Sequence, residues 1–213
     1  MKKVIKSIVF GLMFVLMFNG IAFANSNSTN KAQEINSKLD VLSQKYDVKF
    51  EQVDIPEGIT PVEYSSVEEL EKDIAKFYKE QKDIKQKNKQ FEEAPAEKLQ
   101  ILATSTGSQV KSFWVGSVPY LPPQKINIQV NYSYDSSTKR FLSCNSVNSW
   151  ITGLDQPVGF KWTQKGQTTR IIDSGRTLTA SVYGTMQFYV IIKGIGQLVT
   201  FNYTSPTAEY YLK

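Results

Sequence analysis

Two different periods divide this chain. In the first half, apolar residues return at alternating steps of four and three. Ile35, Leu39, Leu42 and Tyr46 make one such stripe, which predicts a helix over 30–46. Leu70, Ile74, Phe77, Gln81, Ile84, Asn88 and Phe91 make a second over 67–93, a heptad seam with two polar members. Ser66 with Glu69 three residues later marks its start as a capping box. Glu68 and Glu69 also set negative charge at the positive end of the helix dipole. Ala94-Pro95 is expected to end the helix. Between the helices, Val48 to Val53 opens with an apolar–polar alternation that predicts a short strand near 48–53, and Pro56-Glu57-Gly58 with Thr60-Pro61 forces a loop. The seam can pack within the chain, helix 30–46 lying antiparallel on the first half of helix 67–93. It can also pair with a second copy, which makes an oligomer through helix 67–93 the alternative. Gln81 and Asn88 would weaken a long coil while fixing its register.

From Val110 onward the period is two. Ile126, Ile128, Val130, Tyr132 and Tyr134 alternate with Asn127, Gln129, Asn131 and Ser133. Asp135 to Lys139 then reads as a hairpin connection and Arg140–Val147 as its return. Further runs follow at Phe160–Thr163, Thr168–Ile172, Thr177–Tyr183, Met186–Ile192 and Leu198–Tyr203, with turns read at Lys165-Gly166, Asp173-Ser174-Gly175 and Lys193 to Gln197. Turn signals about every 8–12 residues are the spacing of an all-β sandwich or barrel. The expected fold class is therefore α+β: a two-helix head over 25–104, then an antiparallel sandwich of Ig-like size over 105–213 with about eight strands. The boundary is placed near Ala103–Gly107. With no Cys…Trp…Cys signature, it is not a true Ig domain.

The first 24 residues carry Lys2, Lys3 and Lys6, an apolar run from Ile8 to Phe18, and Ala22-Phe23-Ala24. That is the order of a cleavable secretory signal, and the run is shorter than the roughly 20 residues that cross a bilayer. No Cys near the cleavage site offers a lipid anchor. The expectation is a secreted or cell-wall-associated protein that meets the membrane only before cleavage. Residues 25–29 are polar and expected to be disordered. Loss of three lysines with the signal lowers the formal charge from +5 to +2, which gives no electrostatic case for nucleic acid. The remaining charge is unevenly spread: 12 basic and 16 acidic side chains over 25–104, against 10 and 4 over 105–213.

Composition also excludes chemistry. The sequence has no histidine and one cysteine, Cys144. Imidazole-based hydrolysis, the common zinc sites and intramolecular disulfides are therefore out of reach. Cys144 reads as a small buried apolar residue, the alternative being a reactive thiol or an intermolecular disulfide. Gly194-Ile195-Gly196 lacks the third glycine and the following helix of a dinucleotide loop, and no EF-hand spacing is present, so neither cofactor nor metal is expected. The acids of the second half are Asp135, Asp155, Asp173 and Glu209; the first three read as turn or loop residues.

Binding is the chemistry left. Flat aromatics with Asn, Gln and Thr on a sheet face suit a glycan, and Tyr132, Trp150, Tyr183 and Tyr189 are the aromatic candidates. Lys139, Arg140, Lys161, Arg170 and Arg176 are basic candidates for an anionic wall polymer. The bland alternatives are core packing for the rings and scattered solvation for the charges. The stretch Ile55 to Pro61 running into Ser65-Ser66-Val67-Glu68-Glu69-Leu70 resembles uncharacterised exported proteins of Gram-positive bacteria. That resemblance implies export across a single membrane, a helical head and a β tail, and no activity. The reading is a non-enzymatic binding module, secreted or at the cell surface. Its alternatives are a secreted hydrolase acting through carboxylates and a membrane-active, toxin-like protein built on the Met186–Tyr203 hairpin.

Overall fold

In a computed structural model of the chain, residues 30–92, 104–115, 124–153 and 159–213 are described. The signal segment, residues 25–29, Ala94-Pro95, Tyr120 and Asp155 lie outside them. The chain forms two compact units, Met1–Val41 and Leu42–Lys213. A helix, α1, runs over residues 30–46, with Ile35, Leu39 and Leu42 buried as the stripe requires. Within the first unit, Lys38 pairs with Glu34 one helical turn earlier.

The second unit is α+β. Beyond the end of α1 it contains β1 (Val48–Gln52), β2 (Val62–Tyr64), α2 (Val67–Glu92) and seven further strands. These are β3 (Thr104–Trp114), β4 (Gln124–Asp135), β5 (Arg140–Gly153), β6 (Lys161–Ile172), β7 (Thr177–Ile192), β8 (Ile195–Thr204) and β9 (Ala208–Tyr211). The cap of α2 differs in one detail from the expected box. Ser66 Oγ accepts from the Glu69 amide at 3.1 Å, but the Glu69 carboxylate reaches back to Ser65, accepting from its amide at 2.9 Å and its hydroxyl at 2.7 Å.

The larger sheet is organised around β7. One flank of β7 pairs with β9 over Thr177–Ala180 and then with β8 over Tyr183–Ile192. The other flank pairs with β6 and then, in parallel, with β2 over Val190–Ile192. β1 joins the far side of β8. Residues 53–61 cross the sheet between β1 and β2. Val53 donates to the Gly196 carbonyl at 3.1 Å, and Ile55 lies where a Cβ on Gly196 would go. From Leu42 onward, helix α2 and the strands belong to one unit. β1 and β2 are members of the large sheet, and the compositional change near residue 104 falls inside the second unit. The strand pairs within 105–213 are antiparallel, as expected there, and the parallel β2–β7 pair brings in a strand from outside that range.

One face of the large sheet carries Leu178, Ala180, Val182, Met186, Phe188, Val190 and Ile192, all buried. Two elements share it. At one end α2 packs on it, Phe77 meeting Phe201 edge-on at 4.5 Å. At the other lies the three-stranded sheet β3-β4-β5: the Tyr210 hydroxyl donates to the Ile128 carbonyl at 2.8 Å, and Trp162 Nε1 to Ser149 Oγ at 2.9 Å.

One turn read from the sequence lies inside a strand, and two runs read separately, Thr177–Tyr183 and Met186–Ile192, form one strand. At Lys165-Gly166 the β6–β7 pairing slips in register, but β6 runs on, the shift accommodating the glycine that Tyr183 covers. β7 passes through Gly184 unbroken, because only a residue without Cβ fits there against the Thr163 carbonyl and the Trp162 ring. Seven strands therefore occupy the described part of 105–213 together with Thr104, where about eight were expected.

The helix seam finds its partner inside the chain. Leu70, Ile74 and Phe77 are buried, and so are the polar members Gln81 and Asn88. Gln81 Oε1 accepts from the Thr204 amide at 2.8 Å. Asn88 Nδ2 donates to the Ser205 carbonyl at 2.8 Å, while its Oδ1 accepts from the Thr207 amide at 2.9 Å and hydroxyl at 2.7 Å. These groups would otherwise be orphaned where Pro206, which cannot donate, interrupts β8 and β9. Five members of the seam are thus packed within the chain, while Ile84 and Phe91 are half-buried.

Candidate functional site

Cross-strand register decides what each sheet presents to solvent. On β4, Ile126, Ile128, Val130 and Tyr132 point into the core, so Lys125, Asn127, Gln129, Asn131 and Ser133 lie on the outer side, Asn127 buried there among its neighbours. Their partners share that face: Thr106, Ser108, Val110, Ser112 and Trp114 on β3, and Ser146, Asn148, Trp150 and Thr152 on β5. Neighbouring strands thus build a flat face of amides and hydroxyls.

The amides on this face are held in a ladder. Asn127 Oδ1 accepts from Ser112 Oγ at 2.6 Å, and its Nδ2 donates to Thr152 Oγ1 at 2.9 Å and to the Trp150 carbonyl at 3.3 Å. Gln129 Nε2 donates to Ser108 Oγ at 2.9 Å, and Asn131 Nδ2 to Ser146 Oγ at 2.8 Å. Ser133 and Asn145 continue the row. Gln129 and Asn131 spend their N–H groups on serines, and their carbonyl oxygens have no partner among the described residues.

Two indoles stand at one end of the ladder. Trp114 is 60 % exposed and Trp150 39 %. Trp114 lies opposite Lys125, and Trp150 opposite Asn127. They are two strands and two residues apart, so their backbones are separated by about 12 Å along a diagonal across β4. The Lys125 ammonium sits 4.4 Å from the Trp114 ring centroid, a cation–π contact that holds one side of the ring. Val110, 49 % exposed, adds an apolar contact further along β3. Rigid rings with fixed amides and hydroxyls, and little charge, can stack on sugar faces and exchange hydrogen bonds with sugar hydroxyls.

The nine candidates from the sequence do not form one patch. Trp150 lies on this face. Tyr132 is corrected to the core: it is 5 % exposed, packs edge-on against Phe141 at 4.9 Å and lies across Gly107. Tyr183, Tyr189, Lys161 and Arg170 share the opposite, outward face of the large sheet. There Tyr183 lies over Gly166, and Tyr189 over Gly159 beside Ile59. Lys161 and Arg170 sit near opposite ends of β6, about 30 Å apart along the strand. Arg176 follows the 3₁₀ turn Asp173–Gly175, and Lys139 and Arg140 end the β4–β5 hairpin. The basic residues are therefore dispersed. Trp114 and the amide row were missed as site residues. Their signal was present, since Asn127, Gln129 and Asn131 recur every second residue on the polar side of the clearest strand.

The acids of this region accept hydrogen bonds from residues two to four positions along the chain. Asp135 Oδ1 accepts from the Ser137 hydroxyl and amide at 2.6 and 2.8 Å, and the hydroxyl bond leads the effects that hold its carboxyl below the ordinary range. Asp173 accepts from the Thr177 hydroxyl at 2.7 Å, and Glu209 from the Tyr211 hydroxyl. Cys144 is half-buried opposite Tyr132, and burial pushes its thiol up, away from the reactive thiolate. Among the described residues no group of three or more His, Cys, Asp or Glu side chains could hold a metal, and no helix is long and apolar enough to cross a membrane. No family model matches this chain, and neither the curated proteins nor the solved structures contain a significant match.

Proposed function

We propose that this is an exported, non-enzymatic glycan-binding module that grips a polysaccharide of the cell wall on the outer face of β3-β4-β5. The two sheets, which we read as a sandwich-type scaffold, hold that face rigid. One observation carries the reading: Trp114 and Trp150 stand exposed on the same face as a pre-ordered row of amides and hydroxyls. Rigid aromatic anchors lose little conformational freedom on binding, and a ladder already fixed by internal hydrogen bonds needs no reordering. The near-neutral lining favours sugar hydroxyls over a purely ionic partner.

The test is sedimentation of the chain lacking residues 1–24 with isolated cell walls, over a range of salt. Most of the retention should survive moderate salt, since stacking is not screened. The Trp114→Ala/Trp150→Ala variant should bind at least tenfold more weakly, as expected when central aromatic anchors are removed. Its thermal unfolding should stay cooperative with Tm lowered by no more than several degrees, because the rings are 60 % and 39 % exposed. Full retention by that variant would sink the proposal, as would absence of retention by the parent chain.

A further inference from the structure

Beside this face, the edge of β3 borders a cleft of about 500 Å³. Residues 106–110 form one wall, and Tyr134, Lys139, Tyr211 and Lys213 contribute to the rest. Ligand-sized sites occupy about 300–1,000 Å³. Two other clefts fall short: about 160 Å³ beside Tyr46 and Tyr78, and about 20 Å³ between α2 and the large sheet.

Three properties connect the cleft to the proposed glycan face. The first is continuity, because Thr106, Ser108 and Val110 both line the cleft and face outward on β3. A chain lying across the ladder passes over this edge without leaving the protein surface. The second is charge. Lys139 and Lys213 line the cleft and no Asp or Glu does; neither lysine has an ion-pair partner among the described residues. The third is a fixed frame. Lys139 sits at φ 54° in the hairpin turn that Asp135 holds. Gln109 Nε2 donates to both the Tyr132 hydroxyl at 3.0 Å and the Tyr211 carbonyl at 2.9 Å, tying β3 to the end of β9.

We infer that this cleft is an anion subsite: it takes a carboxylate or phosphate substituent of the polysaccharide lying on the β3-β4-β5 face. The preferred ligand is then an acid-substituted glycan, not a neutral one. The inference rests on the glycan reading for the polymer, and adds the cleft and its lysines.

The test uses the chain lacking residues 1–24 and four wall preparations: untreated, stripped of phosphodiester-linked polymers, amidated at carboxyls, and treated both ways. Lys139→Gln/Lys213→Gln should bind untreated walls about three- to tenfold more weakly at low salt, as loss of two exposed cationic contacts predicts. It should lose most of the salt dependence and match the parent on the doubly treated walls. Whichever single treatment erases the difference identifies phosphate or carboxylate as the source. A lysine variant that binds untreated walls like the parent, with the same salt response, overturns the subsite. If that variant is impaired while Trp114→Ala/Trp150→Ala is not, the face reading fails and the cleft stands. If the parent binds none of the four preparations, both fall. Thermal unfolding of each variant separates lost contacts from lost fold.

Discussion

Replacing Asn88 by leucine puts the packing of α2 to a test in which two readings predict opposite signs. A polar residue in an otherwise apolar heptad seam lowers stability, so its replacement by leucine should stabilise a self-associating helix. In the fold described here, Asn88 instead serves the Ser205 carbonyl and the amide and hydroxyl of Thr207. The half-buried Thr207 hydroxyl can turn to water. The two backbone groups cannot be replaced so readily, since Ser205 is fully buried. Orphaning each costs about 1–3 kcal/mol. The larger apolar side chain returns about 1–2 kcal/mol through burial. The net expectation is a loss of about 2–3 kcal/mol, or about 5–10 °C in Tm for a domain of this size. Urea unfolding followed by circular dichroism should show a lower midpoint with an unchanged m-value. Gln81→Leu, which orphans only the Thr204 amide, should cost less. An Asn88→Leu protein that melts higher than the parent would refute the assignment of this side chain to the strand break.

Three further substitutions probe the body of the fold. The Tyr203 hydroxyl is buried without a partner among the described residues, so Tyr203→Phe should raise stability by up to about 1 kcal/mol in urea unfolding; a clear loss would show that the hydroxyl is bonded. Burial raises the carboxyl of Asp73 above its ordinary value, partly opposed by the Tyr64 hydroxyl that donates to it at 3.1 Å. The folded state therefore favours the protonated acid, and this contribution is complete below the unfolded pKa and lost as pH rises through the folded one. Asp73→Asn should accordingly be more stable than the parent at pH 7, the difference shrinking in acid; a constant gap in melting temperature across pH would refute the burial effect. Gly184→Ala would drive a methyl group into the Thr163 carbonyl and to 2.8 Å from the Trp162 ring, which should cost about 3 kcal/mol or more; normal melting would disprove the tight β6–β7 approach.

Local signals in the sequence were easy to read where one face alone decides. The alternation of β4 separated Ile126, Ile128 and Val130 from the amides between them, because a strand covered on one side has only one acceptable register, although Tyr132, offered as a site residue, belongs with the core set. The start of α2 was legible from Ser66 and Glu69, although the carboxylate chose Ser65 as its partner. What could not be read was long-range pairing. Nothing in Val62-Glu63-Tyr64 announces a parallel partner at Val190–Ile192, and β2 lies next to the prolines that argued for a loop. Asn88 and Gln81 were visible as exceptions to a seam, but their purpose depends on a strand break more than 110 residues away. For the candidate site, the amide row was in plain view. That Trp114 and Trp150 share its face, whereas Tyr132 does not, follows only from register across three strands.

The route of the large sheet has a bearing on the order in which the chain can fold. Val48 finds its neighbour in Phe201, so the earliest strand must wait for almost the last one before its backbone is satisfied. An emerging N-terminal portion has no local sheet to settle into, and bringing distant ends together makes assembly slow. The same wiring means that residues 105–213 made alone would expose the apolar floor that α2 covers, so the tail should not survive as an independent fragment.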